Sequence, residues 1–359
     1  MSDTHPLYPH YQAAIKAGLK LRARELAAHL NTTEGDLVAC RQGIDAWQLN
    51  APFHLILQKL NSVGDVMTIT RNDHAVHETK GTYHPFSFAE SRKTGLVVSE
   101  DIDLRLFIGT WQTGFYLVEN ARHSLQFFNQ EGTAVHKVYQ TDQTDQEAWQ
   151  QLVEEFKQSL PSIPTFTPVE QRIEPNRLPT DFNKTQFVTD WEKIKDVHEY
   201  HGMLKKHQLT RTQALEQIGD KWATKIQPES VENLIRYAQE TQCDIMIFVG
   251  NSGCIQIYSG KVQTLLNQGP WFNVLDPNFN LHLKLEGIAQ AWILQRPSSD
   301  GVITSVEAFD KNGHSIMTLF GKRKPGQAEL PLWQTLVERL KANHSLTINH
   351  PSTEVTHEQ

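Results

Sequence analysis

The chain has 359 residues, 39% hydrophobic and 21% charged, which describes a globular protein too long for one hydrophobic core. Its 34 basic and 41 acidic residues leave a formal net charge of -7, so a phosphate backbone gains little from it and nucleic-acid binding is disfavoured. No stretch is apolar for the length of a membrane span. The opening Met1-Ser2-Asp3-Thr4-His5-Pro6 has no basic region followed by an apolar run, which leads to an expected place in the cytoplasm without membrane insertion.

Residues 9–30 are rich in Ala, Leu, Lys and Arg and predict a helix. Asn31-Thr32-Thr33-Glu34 then reads as a cap that opens a short second helix. From Gly64 to Val76 the pattern is strand, turn at Asn72 and return strand. Histidines 74 and 77 on this hairpin are either exposed or within reach of a ligand. Asp103-Leu104-Arg105-Leu106-Phe107 alternates, which sets Arg105 and Phe107 on the face opposite Leu104 and Leu106. There Arg105 is either solvated or faces a ligand cavity, where a fixed cation stabilises an anionic oxygen species. A strand from Ser124, another strand and a helix led by Trp149 close the first half. Ser159 to Pro168 is rich in proline and β-branched residues and predicts an extended linker reaching about residue 183.

Trp191, Ile194, His198, His201 and Leu204 share one face at helical spacing. An imidazole in such a stripe is either a core histidine with a hydrogen-bond partner or a ligand in an apolar pocket. One neutral imidazole backed by hydrophobic surface suits a haem iron. His198-Glu199-Tyr200-His201 is one residue short of the zinc-protease spacing. His201 is an alternative ligand one turn on. Leu209-Thr210-Arg211 repeats the capping pattern of residues 31–34. Cys243 to Ile255 repeats the first hairpin, with its turn at Asn251, and Gly250-Asn251-Ser252-Gly253 reads as a turn rather than a phosphate loop. Asn280 to Lys284 matches Asp103 to Phe107, Ser305 to Gly313 matches Ser124 to Gly132, and Trp333 leads a helix as Trp149 does. The three cysteines are widely spaced, which disfavours disulfides and a zinc knuckle. Cys254 reads as a small buried hydrophobe. Arg211, Arg296, Lys322 and Arg323 are, singly, ordinary surface charges. Together they sit at a helix start, a turn and a strand end, which suits the capture of carboxylates such as the two haem propionates.

These ordered matches predict an α+β fold with internal duplication: two similar units, each a large antiparallel sheet flanked by helices. The expected division is an N-terminal repeat over 1–158, a linker over 159–183, a C-terminal haem-binding repeat over 184–346 and a polar, disordered tail over 347–359.

Asp45-Ala46-Trp47, Arg71-Asn72, Ala75-Val76-His77-Glu78, Asp103 to Phe107, Gln126-Phe127-Phe128, Asp196-Val197-His198, Leu209-Thr210-Arg211, Phe248 to Asn251 and Ser299-Asp300-Gly301 carry a resemblance over nearly the whole chain. The chain resembles the HemS/HmuS haem-utilisation proteins, the hemin-degrading factors. The resemblance implies haem b as substrate or cargo, held in the C-terminal half with His198 as axial ligand. It implies Arg105 and Phe107 on the distal side, and propionates at Arg211, Arg296 and Arg323 with Lys322 nearby. Where the family often has Tyr-Gly-Gln-Arg, this chain has Phe320-Gly321-Lys322-Arg323, losing a phenol and gaining a cation. The implied partners are a haem importer and a downstream haem-receiving protein. Haem-oxygenase-like degradation would need an outside electron donor, since no flavin or nicotinamide motif is visible. A carrier that only shields and passes on haem needs the same pocket, and a duplicated interaction module without haem is the remaining reading.

Overall fold

Asparagine side chains close the two hairpins that organise the molecule. Asn72 Oδ1 accepts from the backbone N–H groups of His74 (3.0 Å) and Ala75 (2.9 Å). Asn251 Oδ1 does the same for Gly253 (2.8 Å) and Cys254 (3.0 Å). Each is an Asx turn, in which a short polar side chain substitutes for backbone partners. The two turns also hold each other. Asn72 Nδ2 donates to the Gly250 carbonyl at 3.2 Å, and Asn251 Nδ2 donates to the carbonyls of Arg71 (3.0 Å) and Val135 (2.9 Å).

The structure is a computed structural model and describes residues 5–50, 52–159, 163–167, 177–196, 199–324 and 326–346. In chain order its strands are β1 (Ala46–Gln48), β2 (Gly64–Arg71), β3 (Ala75–Thr82), β4 (Phe86–Ala89), β5 (Thr94–Val98), β6 (Asp103–Leu106), β7 (Trp111–Glu119), β8 (Arg122–Asn129), β9 (Ala134–Thr144), β10 (Ala223–Ile226), β11 (Ile245–Gly250), β12 (Cys254–Gly260), β13 (Leu265–Gln268), β14 (Trp271–Leu275), β15 (Phe279–Lys284), β16 (Gln290–Ser298), β17 (Gly301–Phe309) and β18 (Ser315–Gly321). Among the described residues the first half runs as three helices, β1, a fourth helix, β2 to β6, a short 3-10 turn, β7 to β9 and a closing helix. The second half repeats that order with β10 to β18. The α+β class and the internal duplication are as expected.

The compact units are composed differently from the linear repeats. Unit 1 gathers residues 1–172 with 246–284, and unit 2 gathers 173–245 with 285–359. Unit 1 holds a nine-stranded antiparallel sheet in the order β1-β7-β8-β9-β2-β3-β15-β14-β13, so three strands of the second repeat extend the sheet of the first. The junction pairs β15 with β3 antiparallel, Leu281 opposite His77. Unit 1 also holds the order β11-β12-β6-β5-β4, in which β12 meets β6 with Ile255 opposite Arg105. A core of Leu57, Val66, Tyr83, Leu104, Phe127, Trp149 and their neighbours fills it. Unit 2 holds β10-β16-β17-β18, and its core is built on Phe187, Trp191, Tyr200, Leu215, Trp292 and Phe309. The helices that close the halves, Gln146–Phe156 and Pro331–His344, bury Trp149 and Trp333 as expected.

Two helical expectations are corrected. Residues 9–30 form two helices, Tyr8–Lys16 and Ala23–His29, because Gly18 takes a left-handed conformation (φ 71°) and stops the first. The stripe from Trp191 to Leu204 is not one helix. Lys184–Trp191 ends at Trp191, a turn follows, and a second helix covers Glu199–Lys206. That turn carries Ile194 inward beside Trp191 in the core of unit 2. Of the expected linker, residues 163–167 are extended and bury Phe166 against Phe128. The expected tail lies outside the described residues, and among those described no helix is long and apolar enough to cross a membrane.

Asn251→Ala removes two acceptor and two donor bonds at one turn. It should lower stability by about 2 kcal/mol, read as an earlier urea midpoint with an unchanged slope.

Candidate functional site

The centre of unit 2 is charged where its surroundings are apolar. Thr210 caps the helix Arg211–Gln217 through a capping box with Gln213, which fixes Arg211 at the first helical position. From there Arg211 reaches β17. Its Nε donates to Glu307 Oε2 and its Nη2 to Glu307 Oε1, both at 2.7 Å. This is a bidentate pair, the geometry that best matches a guanidinium to a carboxylate. Glu307 is fully buried. Ser305 Oγ also donates to its Oε1 at 3.0 Å.

Arg296 on β16 approaches the same carboxylate with Nη2 at 3.9 Å and donates from Nη2 to Ser305 Oγ at 3.1 Å. Tyr200 lies beneath both cations, its ring centroid 5.4 Å from Arg211 Cζ and 5.5 Å from Arg296 Cζ. Phe320 supports Arg296 from another side at 5.3 Å. Two guanidiniums therefore share one carboxylate and one aromatic face.

The electrostatics follow from that count. Burial pushes the Glu307 carboxyl up, but Arg211 outweighs it and holds it below the usual carboxylate range. Burial would lower Arg211, and Glu307 more than reverses this. Arg296 has the weaker hold on Glu307 and is pushed down, by burial first and then by Arg211. Burial raises the Tyr200 phenol well above its ordinary value, so it remains a neutral donor.

Among the buried groups of unit 2 that have no hydrogen-bond partner, three belong to these basic and aromatic side chains: Arg296 Nε, Arg323 Nη1 and the Tyr200 hydroxyl. Leaving a buried donor unmet costs about 1–3 kcal/mol. Arg323 lies 3.7 Å from Asp300, and both Arg323 and Arg296 act on Glu329. The cluster is thus set to accept further carboxylate oxygens, as a dicarboxylate ligand would supply.

Arg211 and Arg296 come together. Lys322 instead faces Asp244 at 3.8 Å and is about half exposed. His198 and Val197 lie outside the described residues. His201 is exposed on its helix, whose buried face is Tyr200, Met203 and Leu204. In unit 1, Arg105 and Phe107 are half-buried while Leu104 and Leu106 are fully buried, which is the expected alternation. Arg105 pairs with Asp103 and also donates to the Leu104 carbonyl at 3.3 Å. The hairpin histidines are not exposed: His77 is fully buried on β3, 5.0 Å from the Phe279 ring, and burial pushes it down to about 3. A ring held neutral inside the sheet packs as core. His74 is half-buried in the turn.

Glu307, Ser305 and Tyr200 were not anticipated. The available signal was the repeat itself. Ser124 and Gln126 occupy the matching places in the first half, where Gln126 Nε2 donates to Ser124 Oγ at 3.1 Å. A carboxylate in place of an amide marks the second half as the charged one.

The fold and this cluster define an internally duplicated α+β protein whose second half carries a buried cationic site. The chain belongs to the haemin-degrading HemS.ChuX domain family, whose model matches residues 31–156 and again residues 208–340. It is 37% identical over 339 residues to the hemin transport protein HmuS of Yersinia pestis, covering 93% of this chain and 97% of that one. Among solved structures it resembles apo-PhuS, a heme-binding protein from Pseudomonas aeruginosa, with 42% identity and a TM-score of 0.88 over 93% of this chain and 98% of that one. It also resembles the heme degrading enzyme ChuS of Escherichia coli O157:H7, with 34% identity and a TM-score of 0.85 over 92% and 98% of the two chains.

Glu307→Gln leaves both guanidiniums without their carboxylate and should cost about 3 kcal/mol near neutral pH. The Glu307 carboxyl is depressed in the folded state, so its contribution is complete above the unfolded carboxyl pKa of about 4.3 and is lost as pH falls through the folded value. The stability gap between the wild type and Glu307→Gln, from urea unfolding at a series of pH values, should therefore be flat from neutral to mildly acidic pH and narrow below that range.

Proposed function

We propose that this chain is a cytoplasmic haem-handling protein of iron acquisition, which binds haem b as substrate or cargo in its second half. The observation that carries this reading is the set of unmet donors on Arg296, Arg323 and Tyr200 beside a third cation, Arg211. It occurs in a chain that shares 34–42% of its residues, over more than nine-tenths of its length, with proteins described as heme-binding and heme degrading. The propionates supply the acceptors that these donors lack. Arg211 acts mainly by fixing Glu307, and through it Ser305 and Arg296. Lys322, paired more loosely, adds long-range attraction for the ligand.

His198 is the proposed axial ligand and exposed His201 the alternative one. Removing His198 alone should weaken hemin binding only in part, since His201 can substitute. The His198→Ala, His201→Ala double variant should lose the Soret spectrum of the bound form. Unchanged hemin affinity in the double variant contradicts the assignment. Arg105 and Phe107 keep their implied role on the distal side, and Arg105→Ala should alter the spectrum of the haem complex while leaving the fold intact.

Relatives are described both as transport protein and as degrading enzyme. Bound haem supplies an iron at which O2 can be activated, with electrons from an external donor. The two activities separate in one measurement: the haem complex is given a reductant, O2 and catalase. Loss of the Soret band that survives catalase, with release of iron, identifies a degrading enzyme. Loss that catalase abolishes is peroxide-driven and leaves a carrier that hands haem to a receiving protein.

A further inference from the structure

Unit 1 has a basic pocket of its own, built from residues that the haem reading does not use. A cavity of about 180 Å³ is lined by the cations Arg22, Arg24, Arg71 and Lys284, by Trp271, and by the carboxylates Glu25 and Asp73. These cations come from separate parts of the chain. Arg22 and Arg24 belong to the first turn of the helix Ala23–His29 and the residue before it. Arg71 ends β2, and Lys284 ends β15 directly opposite Trp271 on β14. The junction of the two repeats, β3 with β15, is what brings them to one end of the sheet.

The two carboxylates are engaged by residues of the pocket itself. Asp73 takes Arg24 Nη1 at 2.5 Å, and Arg24 also donates from Nε to Glu34 at 3.2 Å. Glu25 accepts from the backbone N–H of Arg22 at 3.0 Å. Among the described residues, no carboxylate forms an ion pair with the side chains of Arg22, Arg71 or Lys284. Arg22 and Lys284 rest instead on the Trp271 ring, at 5.6 Å and 5.0 Å from its centroid. Arg22, Arg24, Arg71 and Lys284 outnumber Glu25 and Asp73 in the lining, so the cavity is net positive in a chain of net charge -7, which favours an anion there. Burial first, then Arg24 and Arg22, hold the Arg71 guanidinium below its ordinary value, with Glu34 and Asp73 opposing the shift.

We infer that this pocket is a binding site for a phosphate group, either inorganic phosphate or the phosphate of a phosphomonoester. Arg71 and Arg22 donate to its oxygens, and Lys284 supplies a point charge beside them. The size decides against larger occupants. Pockets that enclose a drug-sized ligand run to about 300–1,000 Å³, so the cavity holds one oxyanion with water and leaves any attached group outside. Trp271 already carries both Arg22 and Lys284 on its ring and acts as a wall of the pocket.

The test is calorimetric titration of the full chain with sodium phosphate, and separately with adenosine 5′-monophosphate, against sodium chloride at matched ionic strength. Saturable one-site binding of phosphate is expected, weakened about tenfold or more in Arg71→Gln, Lys284→Gln, because each removes a charge-assisted bond. Arg22→Gln, at an exposed position, gives the same direction with less risk to folding. Tighter binding of the nucleotide identifies a phosphomonoester as the source, and equal binding identifies the bare phosphate group. The site is refuted if neither probe gives saturable heat, if chloride reproduces the heat, or if both variants bind phosphate as the wild type does. Hemin titration of the same variants should be unchanged, which keeps this result separate from the haem reading.

Discussion

The doubly hydrogen-bonded pair of Arg211 and Glu307 is the contact on which the second half's chemistry rests. A carboxylate at full burial is expensive to charge, and it stays charged only because a guanidinium meets both of its oxygens. Once charged, it does more than hold one partner. It orients Ser305, and Ser305 in turn accepts from Arg296. Arg296 is therefore kept cationic inside the protein without having its own full salt bridge, and one of its N–H groups is left over. A buried cation with spare donors is costly in the free protein, and that cost is returned when an anionic ligand binds.

The two halves show how one framework is made to do this only once. Thr33 caps its helix through Asp36, and Thr210 caps its helix through Gln213, so both first helical positions are placed alike. Glu34 stands where Arg211 stands, and Gln126 where Glu307 stands. In the first half the buried Glu34 is met by Arg24 and Lys137, at 3.2 Å and 3.8 Å, and this neutralises it. In the second half the sign at the helix start is reversed, and the amide on the strand has become an acid. At these equivalent places the first half buries one acid between two cations, and the second half buries one acid beneath Arg211 and Arg296.

Much of this was legible from local pattern, and the rest was not for identifiable reasons. The Asn72 and Asn251 turns, the Thr33 and Thr210 caps, the Arg105/Phe107 face and the Trp149 and Trp333 helices depend on a few neighbouring residues, which the chain states directly. The break between Trp191 and Glu199 was hidden because Ile194 keeps helical spacing while sitting in a turn that still points inward. His77 was misplaced because its burial comes from Phe279, some two hundred residues away on β15. Glu307 was passed over because a lone acid in an alternating strand usually faces water, and only Arg211, on a helix packed elsewhere in the sequence, makes its burial tolerable.

The same long-range pairing explains why the compact units differ from the repeats. A strand such as β3 has two edges, and an edge left open is a hazard for a sheet protein. Within unit 1, β3 is covered by β2 on one side and by β15 on the other. β12 is likewise met by β6. Neither partner is nearby in sequence, and alternation fixes only which face of a strand is buried, not which strand lies beside it. Duplication supplies the answer that local sequence lacks. Each repeat carries a five-strand stretch, β2 to β6 or β11 to β15, whose last three strands find an open edge equivalent to their own in the other copy. The sequence repeat and the compact unit therefore differ: unit 1 draws strands from both copies.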